Sequence, residues 1–502
     1  MIKKFIDRVE ELKELNYAYK SRQSYLAVIY GRRRIGKTEL IKHFMKGKKF
    51  VYYSATKELE RDQMQRLAKE IGHIIGDKAI EKFGVTGWDM LFDRLSLYKG
   101  KEKIIIGIDE FPYLVSSNPA LPSILQASLE SFQDNSNILL VLSGSSMSMM
   151  HNEVLNYSAP LYGRSSAILR LNQLAFEDAI ALMQNIKSFE EKMLIYFIFG
   201  GIPWYYNFLE DSATLEDVVL KIIGKNDIFL NETSVLLSEE VKNDAKYINT
   251  ITAIANGVNK PNEIASKLGI FQSNLNRYIS LLETMGIVKK DYPITSNELR
   301  MAKGGVYRIT DHYIFFWAKV LNRYRELLLV GSKEAKELIL GSIRTTIAQQ
   351  MFEYFAIDLV IHASNKGSIF PITKIGRWWG RDSSKPTGIN EEEIDLVAVN
   401  EKTNDILFGE CKWGAKPVDL SVLNELKRKS KIVQWRKDSQ IEHFALFSRA
   451  GFDAELRRVG KKEGVLLFDL DAIEKIVKNA ASSPLPKRVG FPARAVKDGY
   501  NK

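Results

Sequence analysis

The stretch Ser24-Tyr25-Leu26-Ala27-Val28-Ile29-Tyr30-Gly31-Arg32-Arg33-Arg34-Ile35-Gly36-Lys37-Thr38 decides the fold of the first part of this chain. Its apolar beginning predicts a buried strand, and its end matches the phosphate-binding pattern Gly-x-x-x-x-Gly-Lys-Thr. The segment Glu39–Phe44 that follows predicts a helix, whose N-terminal amides and dipole favour a bound anion. A strand, a glycine-containing loop and a helix in this order predict an α/β domain that binds a nucleotide.

The residue types of this loop, here called the P-loop, explain how it can hold a chain of phosphates. Its glycines let the backbone approach an anion closely, Lys37 can reach the β and γ phosphates of ATP, and the Thr38 hydroxyl can ligate Mg²⁺. We expect the whole loop to contact the nucleotide: Gly31, Arg32, Arg33, Arg34, Ile35, Gly36, Lys37 and Thr38. ATP and Mg²⁺ are therefore the expected cofactors.

Two later apolar runs also end in polar side chains. The run 103–108 leads into Asp109 and Glu110, and we expect Asp109 to hold Mg²⁺ and Glu110 to polarise the attacking water. The run 137–142 leads into Ser143, whose hydroxyl can sense the γ-phosphate. The alternatives are an exposed acidic pair that caps a strand and, for the serine, an ordinary turn.

Several short segments resemble one known family. The segments are Phe5–Leu12, the P-loop, Asp109–Pro112 and Leu161–Arg164, and they are similar to the archaeal ATPases of the AAA+/STAND group. The resemblance implies an αβα P-loop NTPase core, with the acidic strand near the P-loop strand in one parallel sheet. It also implies that Arg164 completes the γ-phosphate site, in cis or from a neighbouring copy in a nucleotide-dependent homo-oligomer. The alternative is an ordinary surface arginine.

The middle of the chain is predicted to be helical. Apolar residues recur at intervals of three and four from Phe176 to about Leu237, which fits a helical lid. Within it, Gly200-Gly201-Ile202-Pro203 resembles the Gly-x-Pro element of STAND lids. The resemblance implies that Pro203 contacts the nucleotide and couples it to the lid. From the residues alone, this segment is a helix end and a turn.

A helix-turn-helix pattern follows the lid. Residues 260–270 predict a short helix and a turn, and residues 272–285 predict a second helix. A β wing would follow, with the positive charges Lys289, Lys290, Arg300 and Lys303 and a final strand at 305–309. Such a winged helix either reads DNA with its second helix or packs on protein. Because the second helix carries one arginine, Arg277, we favour the packing or regulatory role.

A second set of charged residues lies near the C-terminus. In order, they are Glu353 in a predicted helix 342–362, Asp395 in a predicted strand 393–399, and Glu410 and Lys412 in a predicted strand 405–413. Strand periodicity places Glu410 and Lys412 on the same face. The set resembles the core of the PD-(D/E)xK nucleases, which implies a restriction-endonuclease-like α/β domain.

These residue types suit metal-assisted cleavage of a DNA phosphodiester. Asp395 and Glu410 can hold one or two Mg²⁺ ions as hard oxygen ligands, and Lys412 can orient or help deprotonate a metal-bound water. Glu353 would support the outer shell of the metal. The alternative is that Asp395, Glu410 and Lys412 form a structural ion-pair cluster in an inactive descendant of the fold.

Two basic segments near this cluster have two interpretations each. The run Arg377-Trp378-Trp379-Gly380-Arg381 either stacks on bases and neutralises phosphates or forms a hydrophobic turn. The residues from Leu423 to Lys431 predict a helix with three lysines, Lys427, Lys429 and Lys431. Its polar face either follows a nucleic-acid backbone or is simply solvated, which we favour.

Composition limits the function classes. The chain has 502 residues, one cysteine (Cys411) and a formal net charge of +11. An intramolecular disulfide and a multi-cysteine zinc site are excluded, and the apolar runs are shorter than the ~20 residues that span a bilayer. The charged N-terminus argues against a secretory signal, so we expect a cytoplasmic protein with no membrane partner. The positive charge permits nucleic-acid binding, and an ordinary basic surface gives the same total.

Together these patterns predict a multidomain α/β protein. Its expected parts are a P-loop ATPase core at 1–175, a helical lid at 176–240, a winged-helix domain at 241–335, a PD-(D/E)xK nuclease-like domain at 336–480 and a disordered tail at 481–502. The function hypothesis is an ATP-binding and ATP-hydrolysing switch coupled to a Mg²⁺-dependent nuclease-like domain that acts on DNA. The alternative is a regulatory ATPase whose C-terminal domain is inactive and only binds a protein or nucleic-acid partner.

Overall fold

The computed structural model describes residues 5–21, 25–135, 137–295, 305–436 and 439–481, without the side chains of 133–135 and 480–481. The predicted disordered tail lies outside these residues, apart from Ala481, which ends a helix. The wing residues Arg300 and Lys303 and the first residue of the predicted P-loop strand, Ser24, also lie outside them.

The N-terminal part contains a five-stranded parallel sheet. The strands are β1 (Leu26–Tyr30), β2 (Lys49–Ser54), β3 (Ile104–Asp109), β4 (Ile138–Gly144) and β5 (Ala167–Arg170), in the order β2-β3-β4-β1-β5. The helices are Val9–Lys20, Lys37–Met45, Glu60–Ile75, Lys78–Phe83, Trp88–Ser96, Phe111–Ser117, Leu121–Asn135 and Met147–Met150. Each neighbouring pair of strands is parallel.

Helices cover both faces of this sheet. Leu26 and Val28 of β1 belong to one hydrophobic core, and Ala27 and Ile29 belong to another. A strand with both faces buried is expected to be apolar at every position, as parallel strands are. The predicted αβα P-loop core is therefore confirmed, and the P-loop strand and the acidic strand lie in one parallel sheet with β4 between them.

The lid region is helical, as predicted. Its helices are Phe176–Ala179, Phe189–Phe199, Pro203–Tyr206, Leu215–Gly224 and Asn226–Leu237. The helix Phe189–Phe199 is buried at every position from Met193 to Phe199 and therefore forms the centre of this region. The helix Leu215–Gly224 begins with a capping box, in which Thr214 and Asp217 satisfy each other's backbone amides.

The helix-turn-helix pattern is present in the structure. Its helices are Ala245–Ala255, Pro261–Leu268 and Gln272–Thr284, and the antiparallel strands β6 (Val288–Asp291) and β7 (Val306–Ile309) follow. Gly269 ends the helix Pro261–Leu268 with a φ of +62°, a left-handed conformation that glycine adopts without strain. The helix Gln272–Thr284, the second helix of the helix-turn-helix unit, ends one residue before the predicted end, Met285.

The C-terminal part contains a mixed sheet. Its strands are β8 (Lys374–Arg381), β9 (Glu391–Asn400), β10 (Asp405–Lys412), β11 (Ile441–Ser448) and β12 (Leu466–Asp469), in the order β12-β11-β10-β9-β8. The helices are His312–Phe316, Arg325–Leu329, Glu334–Ser342, Ala348–Asn365, Leu420–Ser430, Ala454–Glu463 and Leu470–Ala481. The pairs β8–β9 and β9–β10 are antiparallel, and β10–β11 and β11–β12 are parallel.

Three elements of this part differ from the sequence predictions. The helix predicted from Ser342 is interrupted at its start by a π-helical turn, Ile343–Ile347, and continues as Ala348–Asn365. The run 377–381 is not a turn, because it forms the end of β8, and Trp378 is buried, as the packing interpretation expects. The strand that carries Asp395 is longer at both ends than predicted, since it pairs with a neighbour on each side.

One hydrophobic core runs through the lid, the helix-turn-helix region and one face of the C-terminal sheet. The Phe176 and Phe355 rings meet edge to face at a centroid distance of 5.2 Å, and Phe197 meets Trp413 at 5.8 Å. The core thus crosses the domain boundaries predicted at 175/176, 240/241 and 335/336, which stay predictions. No helix among the described residues has the length and apolar character needed to cross a membrane.

Candidate functional site

The P-loop runs from the end of β1 into the helix that follows it. Gly31 and Gly36 have φ angles of +154° and +98°, and a Cβ atom at Gly31 would lie 2.7 Å from the carbonyl oxygen of Leu171. A side chain would be strained or excluded there, so the backbone path requires both glycines. From outside the loop, Arg8 donates a hydrogen bond of 3.2 Å to the carbonyl oxygen of Ile35.

The Lys37 side chain lies inside the P-loop and is 5% exposed. Its Nζ donates to the carbonyl oxygens of Gly31 at 3.0 Å and Arg32 at 3.3 Å. Burial lowers the pKa of Lys37, and the nearby carboxylates of Glu110 and Asp109 oppose this shift. A buried ammonium with only carbonyl partners is poorly compensated, so a phosphate oxygen would be a stronger partner for it.

Asp109 is the last residue of β3 and is 2% exposed. Its carboxylate accepts hydrogen bonds from Thr38 Oγ1 at 2.6 Å and from the Tyr52 hydroxyl at 2.7 Å. The Ser143 hydroxyl, near the end of β4, donates to the other carboxylate oxygen. The structure therefore brings Thr38, Asp109 and Ser143 together at the carboxyl edge of the sheet, beside Lys37.

The donor set at this edge fits Mg²⁺. It consists of oxygen atoms, from the Thr38 hydroxyl and the Asp109 carboxylate, and Mg²⁺ is a hard cation that takes oxygen ligands. Mg²⁺ also usually keeps several waters and binds substrate phosphates in addition to one or two protein carboxylates. A threonine and one aspartate beside a phosphate-binding loop are enough for such a site.

Glu110 follows Asp109 in a left-handed backbone conformation, with a φ of +55°. Its carboxylate accepts hydrogen bonds from the Ser145 amide at 3.1 Å and the Ser145 hydroxyl at 2.7 Å. The unusual φ turns this side chain toward the end of β4 and away from the strand direction. Glu110 thus lies at the same sheet edge as Asp109, and it is held by the segment that follows Ser143.

Arg164 lies apart from the P-loop contacts. Its Nη1 is 3.3 Å from a carboxylate oxygen of Glu130, and its side chain is 29% exposed. This pairing agrees with the surface-arginine alternative within one chain. The structure of the single chain shows no cis contribution of Arg164 to the P-loop among the contacts of the described residues.

The Gly-Gly-Ile-Pro segment lies beside the P-loop through the residues that follow it. Pro203 begins the helix Pro203–Tyr206, and the ring of Trp204 covers the Arg34 guanidinium at 3.4 Å. The Tyr205 hydroxyl accepts a hydrogen bond of 3.1 Å from Arg32. The contact between this segment and the P-loop is therefore made by the two aromatic residues after Pro203, which the sequence interpretation did not single out.

Three carboxylates from outside the ATPase core pair with the P-loop arginines. Asp311 pairs with Arg32, Glu232 pairs with Arg34, and Glu239 lies 2.7 Å from Arg33. Burial raises the pKa of Glu232 and of Glu239, and the arginines oppose both shifts. Sequence reasoning missed all three acids, because the P-loop pattern says nothing about partners that lie 198 to 279 positions later in the chain.

The neighbouring acid, Glu240, holds the segment after Ser145. Its carboxylate accepts hydrogen bonds from the Met147 amide at 2.6 Å, the Ser148 amide at 3.3 Å and the Ser146 hydroxyl at 3.2 Å. The turn Ser238–Glu240 at the end of the lid therefore lies between the P-loop and the segment after β4, since Glu239 contacts the first and Glu240 the second. A small cavity between them is lined in part by Arg33, Ser145 and Glu239.

The second charged cluster lies where β9 and β10 diverge. The last paired residues of these strands are Leu396 and Gly409, so Asp395 and Glu410 occupy the next position of the register. Asp395 Oδ2 accepts a hydrogen bond of 2.9 Å from the Cys411 amide. Burial raises the pKa of Asp395 to about 6, and the Glu410 carboxylate adds to the shift. The structure thus brings the two predicted metal ligands together.

Two lysines face Glu410. Lys412 Nζ donates to Glu410 Oε1 at 2.7 Å, and Lys429 Nζ lies 3.5 Å from Oε2. Burial alone would lower the pKa of Lys412, but Glu410 outweighs it and the net pKa is raised. Lys429 comes from the helix Leu420–Ser430, whose lysines the sequence analysis assigned to a solvated face. For Lys429 that interpretation is wrong, since the helix packs on β10 and its side chain reaches the cluster.

Glu353 is the third acid of this cluster. Burial raises its pKa to about 7, the charge of Asp395 adds to the shift, and Arg377, 3.7 Å away, opposes it. Gln349, one helical turn earlier, donates to Glu353 at 3.3 Å and to the Cys411 carbonyl at 3.2 Å. Gln349 also accepts from the Trp413 amide at 3.0 Å. Sequence reasoning missed Gln349 because glutamine at an apolar helix face carries no motif.

The cluster has few acidic groups for a metal. In the described part of the chain, no group of three or more histidine, cysteine, aspartate or glutamate side chains is arranged to hold a metal ion. Asp395 and Glu410 provide two carboxylates, and the remaining ligands of a cation there would be backbone carbonyls, waters or substrate oxygens. Such a donor set fits Mg²⁺, which keeps several waters in its coordination shell.

Comparisons with known proteins agree with the geometry of the P-loop. Residues 5–208 match a family described as an ATPase domain predominantly from Archaea. Residues 317–429 match a second family, described as archaeal and bacterial proteins of unknown function. The chain is 32% identical over 482 residues to the uncharacterized protein MJECL04 of Methanocaldococcus jannaschii, which covers 93% of this chain and 99% of that protein.

The chain belongs to the same family as MJECL04. A shorter match, 47% identical over 45 residues, is to the uncharacterized ATP-binding protein MJ0423 of the same organism and covers 9% of this chain and 76% of that protein. Among solved structures, the Walker-type ATPase PABY2304 of Pyrococcus abyssi is similar, with 18% identity, a TM-score of 0.49, and coverage of 63% of this chain and 96% of that chain. Residues 5–208 of this chain, a relative of MJECL04, form a P-loop ATPase domain.

Proposed function

We propose that this protein is a Mg²⁺-dependent ATP switch whose nucleotide state gates DNA cleavage by its C-terminal domain. The ATPase domain supplies the switch. The DNA-cleavage part of the proposal rests on the position of three residues, Asp395, Glu410 and Lys412. They lie where β9 and β10 separate at one end of a mixed sheet. One lid helix, Phe189–Phe199, provides the coupling: its Tyr196 hydroxyl donates to the Leu174 carbonyl at 3.1 Å, and its Phe197 ring meets Trp413 at 5.8 Å.

In the ATPase domain, each side chain has a task that follows from its position. Lys37 exchanges its carbonyl partners for phosphate oxygens, and Thr38 and Asp109 hold Mg²⁺. Bound there, Mg²⁺ supplies charge that neutralises the phosphates. Glu110 accepts a proton from, or polarises, the attacking water, and Ser143 contacts the γ-phosphate.

In the C-terminal domain, the acids are suited to a divalent cation and Lys412 to a water. Asp395 and Glu410 would hold Mg²⁺, which supplies Lewis-acid activation of a water and of the scissile phosphate. Lys412, on the same strand face as Glu410, orients this water or stabilises the charge that develops on the phosphate. Gln349, which also donates to Glu353, holds the end of β10 through the Cys411 carbonyl and the Trp413 amide.

The helix Gln272–Thr284 supports DNA as the substrate. Its polar residues Gln272, Asn276 and Arg277 are exposed, so in this chain they are not used to pack the helix on protein. An exposed polar face on the second helix of a helix-turn-helix unit is the surface that such units place in a DNA groove. The packing role that the sequence favoured is therefore replaced in this proposal by DNA contact.

Aromatic packing connects the two sites. Trp413 directly follows Lys412 in the chain, and its ring meets Phe197 at 5.8 Å and Phe352 at 5.0 Å. Arg449, just after β11, donates to Glu190 at the start of the same lid helix at 2.8 Å. A displacement of this helix therefore changes the support of the strand that carries Glu410 and Lys412.

Cleavage of DNA in the presence of Mg²⁺ tests the proposal. The wild type is expected to cut linear or circular duplex DNA, and Glu410→Ala and Lys412→Ala are expected to abolish cutting while ATP binding is unchanged. Equal cutting by the wild type and both variants would show that the activity does not come from this cluster, and the nuclease assignment would fail.

One observation favours the alternative function, a regulatory ATPase with an inactive C-terminal domain. Glu410 is already neutralised by Lys412 and Lys429, as in a structural ion-pair cluster. In that case Mg²⁺ would not bind to the C-terminal cluster. Calorimetric titration with Mg²⁺ separates the two functions. It compares the Lys37→Ala variant with the Lys37→Ala/Glu410→Ala double variant. If the C-terminal cluster binds Mg²⁺, the heat of binding falls in the double variant, and if the cluster is only structural, the heat is the same in both.

A further inference from the structure

The P-loop contains three consecutive arginines, and each one pairs with a carboxylate from a different position outside the ATPase core. Arg32 pairs with Asp311 and Arg34 pairs with Glu232. Arg33 lies 2.7 Å from Glu239. The three acids belong to the lid helix Asn226–Leu237, the turn after it and the residue before the helix His312–Phe316.

These acids are held in place, and two of them are almost completely buried. The side chains of Glu232 and Asp311 are 1% and 2% exposed. Asp311 Oδ1 accepts a hydrogen bond of 2.9 Å from the Ile314 amide, and the Tyr205 hydroxyl lies 3.5 Å from Glu232 Oε1. A carboxylate buried in this way requires its arginine, because an unpaired buried charge is strongly destabilising. Two of the pairs therefore tie the P-loop to the lid, and the Arg32–Asp311 pair ties it to the helix His312–Phe316.

The same three pairs oppose the binding of a nucleotide at the P-loop. The P-loop is the expected place of the phosphates, which carry several negative charges, and three carboxylates already lie against it. Like charges a few Å apart repel each other, and the repulsion is stronger where little water lies between them. A phosphate group also offers a guanidinium group more acceptor oxygens than a carboxylate does. Phosphate and lid carboxylates therefore compete for the same arginines.

We propose that Asp311, Glu232 and Glu239 form a latch that holds the lid and the helix His312–Phe316 on the P-loop, and that the phosphates of ATP release it. In the latched state the arginines form ion pairs with the three carboxylates. In the ATP state they form ion pairs with the phosphates, and the acids move away with the lid. Because ATP then favours the released state by its contacts, binding shifts the lid equilibrium by the difference in affinity.

The latch also explains how a nucleotide contact reaches the rest of the molecule. Trp204 and Tyr205, which cover Arg34 and Arg32, directly follow the turn that ends the lid helix Phe189–Phe199. Asp311 begins the helix His312–Phe316, whose Tyr313 ring stacks on Tyr205 at 4.5 Å. Release of the arginines thus removes contacts of two helices at once, Pro203–Tyr206 and His312–Phe316. This inference needs only ATP binding at the P-loop and stands independently of DNA cleavage.

The affinity for ATP tests the latch. Glu232→Gln and Glu239→Gln, alone and together, keep the shape of each side chain and remove its charge. Because part of the affinity of the wild type is lost in opening the latch, each variant is expected to bind a non-hydrolysable ATP analogue with Mg²⁺ more tightly, and the double variant roughly 5-fold or more. Calorimetry on the full chain measures the dissociation constants.

Hydrogen exchange of the lid provides the second measurement. In the wild type, the amides of Asn226–Leu237 are expected to exchange faster when the ATP analogue is added, and in the double variant they are expected to exchange fast without it. Glu216→Gln is the matched control, since Glu216 pairs with Lys336 on the other side of the lid. It should change neither affinity nor exchange.

Two results would overturn the latch. The first is equal or weaker binding of the ATP analogue by the Glu239→Gln variant, whose partly exposed pair with Arg33 can be removed without unfolding the buried pairs. The second is lid exchange that does not respond to the ATP analogue in the wild type. An unchanged rate of DNA cleavage in these variants would count against the coupling in the proposed function and would leave the latch itself in place.

Discussion

Thr38 Oγ1 donates a hydrogen bond of 2.6 Å to Asp109 Oδ2, although the two residues lie 71 positions apart in the sequence. The contact joins the first turn of the helix Lys37–Met45 to the last residue of β3, across the intervening strand β4. A hydroxyl and a carboxylate in direct contact can share one Mg²⁺ ion. In the proposed function, ATP hydrolysis depends on this pair, on Lys37 beside it and on the parallel sheet that places both at one edge.

Replacement of Lys37 should stop ATP hydrolysis. In Lys37→Ala the phosphates lose the only ammonium inside the described P-loop, and the hydrolysis rate is expected to fall about 100-fold or more. Phosphate release from purified protein measures the rate. Lys46→Ala, an exposed lysine at the end of the same helix, is the control and should hydrolyse ATP like the wild type. Hydrolysis by Lys37→Ala at the wild-type rate would place the active site elsewhere.

Replacement of Asp109 should separate ATP binding from Mg²⁺ binding. Asp109→Asn keeps the size of the side chain and removes the charge that holds the cation, so Mg²⁺ should no longer strengthen ATP binding. Calorimetric titrations of ATP with Mg²⁺ and with a chelator give the two affinities. Asp93→Asn, at an exposed position of the helix Trp88–Ser96, should retain the Mg²⁺ effect. If Asp109→Asn also retains it, this carboxylate is not a ligand.

The aromatic contact between lid and C-terminal sheet should matter for stability. Phe197 is fully buried against Phe355 and Trp413, so Phe197→Ala leaves a cavity and is expected to lower the free energy of unfolding by about 3–5 kcal/mol. Phe83→Ala makes the same chemical change at an exposed site and should cost about 0.5 kcal/mol or less. Denaturant titrations of both variants measure the difference. Equal stabilities would show that the two parts do not share a core.

Stability should also depend on pH through Asp178. Burial raises the pKa of Asp178 to about 6, Glu177 adds to the shift, and Arg8 opposes it. The folded protein therefore binds this proton more tightly than the unfolded chain, so its contribution is fully present below pH 4 and is lost as pH rises through about 6. Melting temperatures of the wild type and Asp178→Asn, compared from pH 4 to 8, should converge at low pH and diverge above it. A constant difference would contradict the shift.

The sequence predicted the parts of the fold in which one short segment carries its own structural rule. The run 25–38 contains strand, loop and helix start together, and β3 and β4 are apolar at nearly every position, which parallel strands with two buried faces require. The order Glu353, Asp395, Glu410 and Lys412 also predicted three elements that the structure brings together.

The sequence could not predict contacts between distant segments whose residues follow no pattern. Asp311 lies 279 positions after its partner Arg32, and nothing in either neighbourhood indicates the pair. Lys429 looked like any lysine on a solvated helix face until the packing of that helix on β10 was known. Arg164 shows the opposite case, because its local motif predicted a role at the γ-phosphate, in cis or from a neighbouring copy, while the contact that the structure shows is with Glu130.

The most direct test of the account is the effect of ATP on DNA cleavage at a fixed Mg²⁺ concentration. The account predicts that ATP changes the cleavage rate of the wild type by about 5-fold or more, as expected for typical coupling between sites, and that Lys37→Ala cuts at one rate with or without ATP. Intact DNA after incubation with wild type, Mg²⁺ and ATP, or a wild-type cleavage rate that ATP does not alter, would contradict a nucleotide-gated nuclease.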